Sequence, residues 1–376
     1  MLSHDPWWGL NGPGGFVASL ADDLRSGRNI VIALPDHHPP ALAAALHERL
    51  LDDGLPGLRK LDLSGLPSEE WSSPARLIHE RFAPLTDPLV VPSARTVAFA
   101  PALAGTVLWI SGLSGNCWAT WSRFLDQYKD ACRLRPEYDR CLLALPRVGE
   151  PPTTGLRNEL TLAVRRWEGF VRRIDMLLYL SRRFERSSVA SAFRELAVTI
   201  SVEIAGTDPM LADRLADASL DQILEPHDLL AELARERGWP TGGTWPPSWH
   251  RGSFDLRDGR PFPHSAAERR EAINRRVWRG QIAVLYPLLE DLRLQFVAQF
   301  RHLLTVPYCT DLDTIHQIEA LELAHLLHQL RPRLPARRLL PLQRCKDARN
   351  ELAHLRPLAA ARLLDPEFFA LLMSIS

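Results

Sequence analysis

The chain has 376 residues, of which 46% are apolar and 24% are charged, and its formal net charge is zero. This length and composition predict two or three globular domains with sizeable cores. The zero net charge excludes a polycation, so any nucleic-acid binding must come from local basic patches.

Cysteine usage and hydropathy predict the compartment. Five scattered cysteines, with no Cys-x-x-Cys pair, argue against a disulfide framework or a zinc knuckle and fit a reducing environment. Residues 1–8 lack the basic and apolar regions of a signal peptide, and no run approaches the roughly 20 apolar residues of a membrane span. We therefore expect a cytoplasmic protein that makes no use of a membrane.

Residues 1–150 alternate short apolar runs with amphipathic segments. The central runs are apolar nearly throughout, as parallel strands buried on both faces require. This alternation predicts a parallel α/β sheet with helices on both sides. The predicted strands are 29–34, 58–63, 106–110 and 141–145, and the predicted helices are 16–25, 39–51, 74–82 (capped by Ser73) and 118–132.

The loop after the first predicted strand, Pro35-Asp36-His37-His38-Pro39-Pro40, has no glycine, lysine, serine or threonine. Over roughly the first 150 residues the layout resembles the core of P-loop NTPases of the ATPase type. In those proteins this loop reads G-x-x-x-x-G-K-[ST] and holds phosphates. The counterpart of their metal-holding strand end, Leu108-Trp109-Ile110-Ser111-Gly112, also lacks an acid. The resemblance implies a degenerate NTPase-like domain, and no cofactor is expected.

Asp36, His37 and His38 place three potential metal ligands where α/β sheets bind their ligands. Adjacent residues rarely converge on one ion, and no further partner is identifiable in the sequence. We therefore interpret this segment as a solvated loop and expect no metal.

A breaker cluster, Pro151-Pro152-Thr153-Thr154-Gly155, predicts a boundary that opens a helical region. Helices are predicted at 162–183, 189–204 and 219–237, the last of them interrupted at Pro226. The many arginines of the first helix are interpreted as a solvated, ion-paired face rather than a phosphate-binding surface.

Residues 238–264 are rich in Gly, Pro and Trp and predict a linker or an irregular connection. Trp239, Trp245 and Trp249 are too apolar for a flexible tether. We expect them to dock on a neighbouring surface rather than to stack on bases.

Apolar residues at spacings of three and four predict an up-down helical bundle over residues 265–376. Its first helix is predicted to start at Ser265, with Glu268 completing a capping box, and to kink at Pro287. A second helix is predicted at 313–330, and a third begins near Pro341.

The third helix carries Arg349-Asn350-Glu351-Leu352-Ala353-His354. Arginine can grip two phosphate oxygens, and histidine can move protons near neutral pH. RNA supplies its own nucleophile, the 2′-OH, so no metal is required. Asn350 and His354 share a helix face, whereas Arg349 and His354 are about 140° apart, so one chain presents an incomplete site that a symmetric dimer can complete.

This layout and motif resemble the HEPN superfamily over roughly the last 110 residues. The marker of that superfamily is an arginine, four to six residues, then a histidine, often with a polar residue after the arginine. The resemblance implies a metal-independent endoribonuclease whose two motif copies meet across a homodimer, with Arg349, Asn350 and His354 as catalytic residues.

These observations together predict an α/β degenerate P-loop NTPase-like domain (1–150), a helical region (151–237), a linker (238–264) and a HEPN-like bundle (265–376). The predicted function is cleavage of an RNA substrate, regulated by the front domain or by a protein partner, by analogy in a bacterial defence or toxin system. The alternative is a non-catalytic adaptor that dimerises or binds a partner. In that alternative Arg349 pairs with an acid on an adjacent helix, and His354 bonds the last carbonyls before Pro357.

Overall fold

A computed structural model describes residues 6–113, 115–149, 157–240, 246–310 and 314–374. The chain forms two compact units. The sheet unit comprises Met1–Asp175 with Pro247–His264, and the helical unit comprises Met176–Pro246 with Ser265–Ser376. Both units are therefore discontinuous in sequence, unlike the four consecutive segments that the sequence predicted.

The sheet unit is an α/β domain with a small added hairpin. Its elements are α1 (Asn11–Arg25), β1 (Asn29–Leu34), α2 (Leu42–Asp52), β2 (Leu58–Asp62), α3 (Ser68–Trp71), α4 (Pro74–Phe82), α5 (Ala94–Ala98), β3 (Val107–Ser111), α6 (Gly115–Cys132), β4 (Leu142–Val148), β5 (Leu162–Arg166), β6 (Phe254–Arg257) and β7 (Arg260–Pro263).

The main sheet has five strands in the order β2-β3-β4-β1-β5, and each neighbouring pair is parallel. The four predicted strands and the four predicted helices of residues 1–150 are confirmed to within about five residues. Ser73 precedes α4 as expected, but its side chain makes no capping hydrogen bond. The prediction of a parallel α/β domain is therefore correct.

Both faces of the sheet are covered, which explains the continuous apolar runs. Val31, Ile110 and Leu145 belong to one buried cluster with residues of α4, α5 and α6. On the other side, α1 contacts α2 and β1. Burying each such side chain contributes about 1.5–3 kcal/mol, which explains why these runs are apolar nearly throughout.

The prediction of one helix over 162–183 is wrong. Residues 162–166 form β5, an edge strand that pairs with β1, and the helix α7 (Arg173–Phe184) begins only later. Gly169, with φ of +74°, adopts a backbone conformation that breaks a helix. Trp167 instead packs edge-on against Phe16, with ring centroids 5.1 Å apart.

The predicted linker is structured where the structure describes it. Residues 254–263 form the antiparallel hairpin β6–β7, turned by Asp258 and Gly259, both at positive φ. Trp249 is buried in the sheet unit and donates its indole N–H to the Trp167 carbonyl at 2.9 Å.

The docking of the linker tryptophans is confirmed for two of the three. Trp239 is buried in the helical unit as Trp249 is in the sheet unit. Trp245 lies outside the described residues.

The helical unit contains most of α7 and all the remaining helices, with one two-residue strand pair. Its further elements are α8 (Arg194–Ala205), α9 (Pro209–Asp217), α10 (Leu220–Leu224), α11 (His227–Glu236), α12 (Arg270–Phe300), β8 (Tyr308–Cys309), β9 (Thr314–Ile315), α13 (Leu323–Leu330), α14 (Ala336–Ala353), α15 (Ala360–Leu363) and α16 (Pro366–Met373). The break predicted at Pro226 separates α10 from α11.

The long helix α12 is the centre of the helical unit and contacts α8, α14 and α16. It crosses α8 at Gly280, where a Cβ would lie 2.4 Å from the Cα of Ile200. Thr199 also donates its hydroxyl to the Gly280 carbonyl at 3.2 Å. The two helix backbones therefore approach as closely as the absence of a side chain at Gly280 permits.

The predicted starts of the C-terminal helices need correction. Helix α12 starts at Arg270, because Ser265 donates its hydroxyl to the Ile204 carbonyl instead of capping the helix. The second helix is only Leu323–Leu330, since Thr314–Ile315 pairs as a strand with Tyr308–Cys309.

The third helix, α14, starts at Ala336 rather than near Pro341, and Pro341 and Pro287 both lie inside helices. None of the described helices is long and apolar enough to span a membrane.

Candidate functional site

The three residues predicted as catalytic lie at the C-terminal end of α14. Asn350 and His354 are exposed, and Arg349 is half-buried. His354 is the C-terminal cap residue, and its backbone N–H donates to the carbonyls of Asn350 and Glu351 at 3.0 and 3.1 Å. An exposed imidazole and an exposed amide are thus presented together at the end of one helix.

Arg349 is held by carboxylates from two other helical elements. Its Nε lies 3.2 Å from Oε1 of Glu290 on α12, and its Nη2 lies 2.8 Å from Oε2 of Glu322, which caps α13. The guanidinium also lies 5.7 Å from the ring centroid of Tyr286. Arg349 therefore ties α12, α13 and α14 together, and the ion pair expected in the adaptor alternative is present.

The two carboxylates that hold Arg349 are themselves fixed. Arg293 donates to Glu290 at 2.8 Å and to the carbonyls of Glu319 and Leu321. Glu322 forms a capping box in which its backbone N–H donates to Nδ1 of His325 at 3.1 Å. Two arginines and two glutamates balance in charge, so the cluster presents no net charge to a phosphate.

Helix α14 ends in a backbone conformation that costs free energy. The N–H of Arg356 donates to the Glu351 carbonyl and that of Leu355 to the Leu352 carbonyl, the paired bonds of a Schellman motif. Leu355 occupies the left-handed position with φ of +60°, where glycine is usual, and its side chain is exposed. The turn that follows His354 is therefore strained.

We expect Leu355→Gly to raise the free energy of unfolding by about 1 kcal/mol, because it relieves this strain. Chemical denaturation of both proteins measures the difference. Leu355→Ala is the matched control, since it shortens the side chain but keeps the strained conformation, and it should show no such gain.

A basic segment joins α13 to α14 in the same unit. Residues 331–346 contain six arginines and lysines and no acid. Arg331, Arg333, Arg337 and Arg338 are exposed. Of the six, only Arg344 pairs with carboxylates among the described residues, those of Asp365 and Glu367 at 3.1 and 2.7 Å. A charge count over the whole C-terminal region does not show that six positive charges fall within these 16 residues. The cluster of arginines and lysines can nevertheless be read from the sequence.

A cleft of about 910 Å³ opens at the carboxyl edge of the sheet unit. Its lining comes from β4 and from the segments that end and follow β1, β2 and β3, and includes His38, Asp62, Trp71 and Ser111. Because these residues are dispersed over more than 100 positions, no local motif could have predicted the cleft. The sequence indicates this cleft only in that most of these residues lie at or after the C-terminal ends of predicted parallel strands, where such sheets bind ligands.

The three side chains of Asp36, His37 and His38 have different neighbours. A Cβ at Gly149 would lie 1.7 Å from Oδ1 of Asp36, and one at Gly252 would lie 3.4 Å from Cβ of His37. His38 bonds the Pro35 carbonyl through Nδ1 at 3.2 Å. Across the described ranges, no three His, Cys, Asp or Glu side chains are grouped as metal ligands.

No protein-family model matches this sequence, and comparison with curated proteins gives no significant match.

Proposed function

We propose that this protein is a metal-independent endoribonuclease of the HEPN type, whose site is completed by a second copy of the chain. The observation that carries the proposal is the exposure of Asn350 and His354 beside Arg349 at the end of α14. The three residue types supply a proton carrier, a hydrogen-bond donor and a cation, which are what RNA cleavage needs.

The reaction requires two proton transfers. A base takes the proton of the 2′-OH as its oxygen attacks phosphorus, and an acid protonates the departing 5′ oxygen. One imidazole cannot hold both protonation states at once. In the proposed dimer, His354 of one copy is the base and the same residue of the second copy is the acid, while Arg349 neutralises the phosphorane.

The ion pairs of Arg349 describe a restrained form of this site. Nε and Nη2 face carboxylates, and the described residues offer no partner to Nη1. A phosphate must therefore compete with Glu290 and Glu322 for this cation or bind through the remaining nitrogen. We propose that the sheet unit, as a degenerate NTPase-like regulator, controls this competition, as a nuclease of a bacterial defence or toxin system in the cytoplasm would require.

The basic segment supports RNA as the substrate. Arg337 and Arg338 precede Arg349 on the same helix by 12 and 11 residues, or about 17 Å. Exposed arginines without carboxylate partners bind a phosphate backbone by releasing counterions. RNA held along α14 would meet these arginines on one side of the scissile phosphate.

The second candidate is a non-catalytic adaptor, and the two ion pairs of Arg349 favour it. An arginine that joins three helices has a structural role whether or not it meets a phosphate. In this candidate, the exposed end of α14 binds a protein partner or a second copy, and no RNA is cleaved.

Incubation of total RNA with the purified full-length protein in EDTA distinguishes the two candidates. The endoribonuclease cleaves in EDTA and leaves 2′,3′-cyclic phosphate ends, because no metal takes part and the 2′ oxygen is the nucleophile. The double variant Arg349→Ala/His354→Ala, purified identically, should leave the RNA intact. Failure of the wild-type dimer to cleave structured and unstructured RNA would leave the adaptor as the function.

A further inference from the structure

The cleft of the sheet unit lies where the chain reverses its direction across the sheet. From β1 the chain crosses to β2 at one edge of the sheet. It then returns through β3 and β4 and passes β1 to form β5 at the other edge. Parallel sheets bind their ligands outside the carboxyl ends of the strands at such a reversal. The volume of about 910 Å³ is within the range of small-molecule sites.

Asp62 is the charged side chain that lines this cleft. Its Oδ1 accepts hydrogen bonds from the Ser64 backbone N–H and the Ser111 hydroxyl, both at 3.0 Å. The bond from the Ser64 backbone holds the pKa of Asp62 below its usual value. The carboxylate is therefore fixed in place and ionised at neutral pH.

Asp62 is positioned by the close approach of two loops. Gly112, with φ of +79°, follows β3, and a Cβ there would lie 2.5 Å from the backbone nitrogen of Ser64. The segments after β2 and β3 are thus locked together, so the carboxylate and its two donors form one rigid group.

His38 adds a second acceptor. The Pro35 carbonyl can only accept, so Nδ1 of His38 carries the proton, and Nε2 has a free lone pair. Burial lowers the pKa of His38 below its usual value, which keeps the ring neutral. The cleft therefore offers an anion and a neutral acceptor to a ligand that donates hydrogen bonds.

The rest of the cleft is apolar or aromatic. Its lining includes Trp71, Trp109 and Leu42, and none of its described residues is an arginine or a lysine. Pro146 and Val148 line it, whereas Arg147 between them lies over the Trp118 ring, 4.2 Å from its centroid. Among the described residues that line this cleft, a phosphate would meet a carboxylate and no cation.

We propose that this cleft binds a small organic cation, with an aromatic or aliphatic body and an ammonium or guanidinium group. The cationic group pairs with Asp62, and the body packs against the tryptophans. A nucleotide is excluded by its phosphates. This proposal is independent of the RNase proposal, because it concerns only residues of the sheet unit.

Three indoles of matched shape test the sign of the charge: tryptamine, tryptophol and indole-3-acetate. Because Asp62 is exposed, calorimetry with the full-length protein should show tryptamine binding about two- to fivefold more tightly than tryptophol, and indole-3-acetate most weakly. Asp62→Asn keeps an acceptor for Ser64 and Ser111 but loses the charge, so it should remove the preference for tryptamine. Asp52→Asn, an exposed change of the same kind at the end of α2, should leave it intact.

Three results would overturn the proposal. The first is absence of tryptamine binding up to about 10 mM with folded protein. The second is equal affinity for the three indoles, or tryptamine binding that Asp62→Asn does not weaken. The third is binding of Mg-ATP that exceeds that of tryptamine, which would show that the cleft accepts phosphates after all.

Discussion

Gly280→Ala should destabilise the helical unit by more than about 3 kcal/mol, because the new methyl group would meet backbone rather than a movable side chain. A Cβ at this position would lie 2.4 Å from the Cα and 2.6 Å from the nitrogen of Ile200. The two helices must separate to admit it, and the bond from Thr199 to the Gly280 carbonyl would then lengthen. Repacking one side chain cannot relieve a contact between two backbones.

Thermal unfolding followed by far-ultraviolet circular dichroism measures this effect. A loss of 3 kcal/mol lowers the melting temperature of a unit of this size by about 6–12 °C. Gly15→Ala is the matched control, since it lies inside α1 and a Cβ there would meet nothing within 4 Å. That substitution should be neutral or stabilise by up to about 1 kcal/mol. Equal melting temperatures for Gly280→Ala and wild type would show that α8 and α12 do not cross so closely.

His354→Ala should reduce the rate of RNA cleavage by about 10²–10⁴-fold, because it removes both the proposed base and the proposed acid from the dimer. The fold should be preserved, since His354 is exposed and its structural bonds are made by the backbone. Arg349→Ala should cost a similar factor in rate but also some stability, because it leaves Glu322 without its cation and Glu290 with Arg293 alone. Single-turnover cleavage in EDTA and chemical denaturation separate these two effects.

Mixed dimers test whether the site is shared. When wild-type and His354→Ala chains are co-expressed in equal amounts, only about a quarter of the dimers contain two copies of His354. Activity should therefore fall to about a quarter of the wild-type value at the same total concentration. A fall to about one half would indicate that each chain acts alone, and it would contradict the shared site. Ala353→Ser, an exposed change beside His354, is the control and should retain full activity.

The strands of the sheet were predictable because burial on both faces leaves a local trace. Apolar runs such as Asn29–Leu34 can be recognised without knowledge of their neighbours. The edge strand Leu162–Arg166 has only a short apolar start followed by arginines, and helical periodicity fits that sequence as well as alternation does. The segment becomes a strand because it pairs with β1, and this long-range pairing leaves no pattern in the local sequence.

The candidate site was predictable in part for the same reason. Spacing on α14 predicted that Asn350 and His354 share a helix face, because helix geometry is local, and the structure shows both residues exposed. The partners of Arg349 are 59 and 27 residues away, so only the packing of three helices could reveal which glutamates hold it. The sheet cleft depends on four separate segments and was not predictable from any one of them.

The sequence discontinuity of the two units has a consequence for gene fragments. A fragment ending at residue 150 would lack β5, and one ending at 175 would lack the β6–β7 hairpin. A fragment beginning at 265 would carry α12 without α8, and so would expose the groove at Gly280 to solvent. Neither unit can therefore be cloned or exchanged as one uninterrupted segment, and a recombination breakpoint at the predicted boundary 237/238 would divide both.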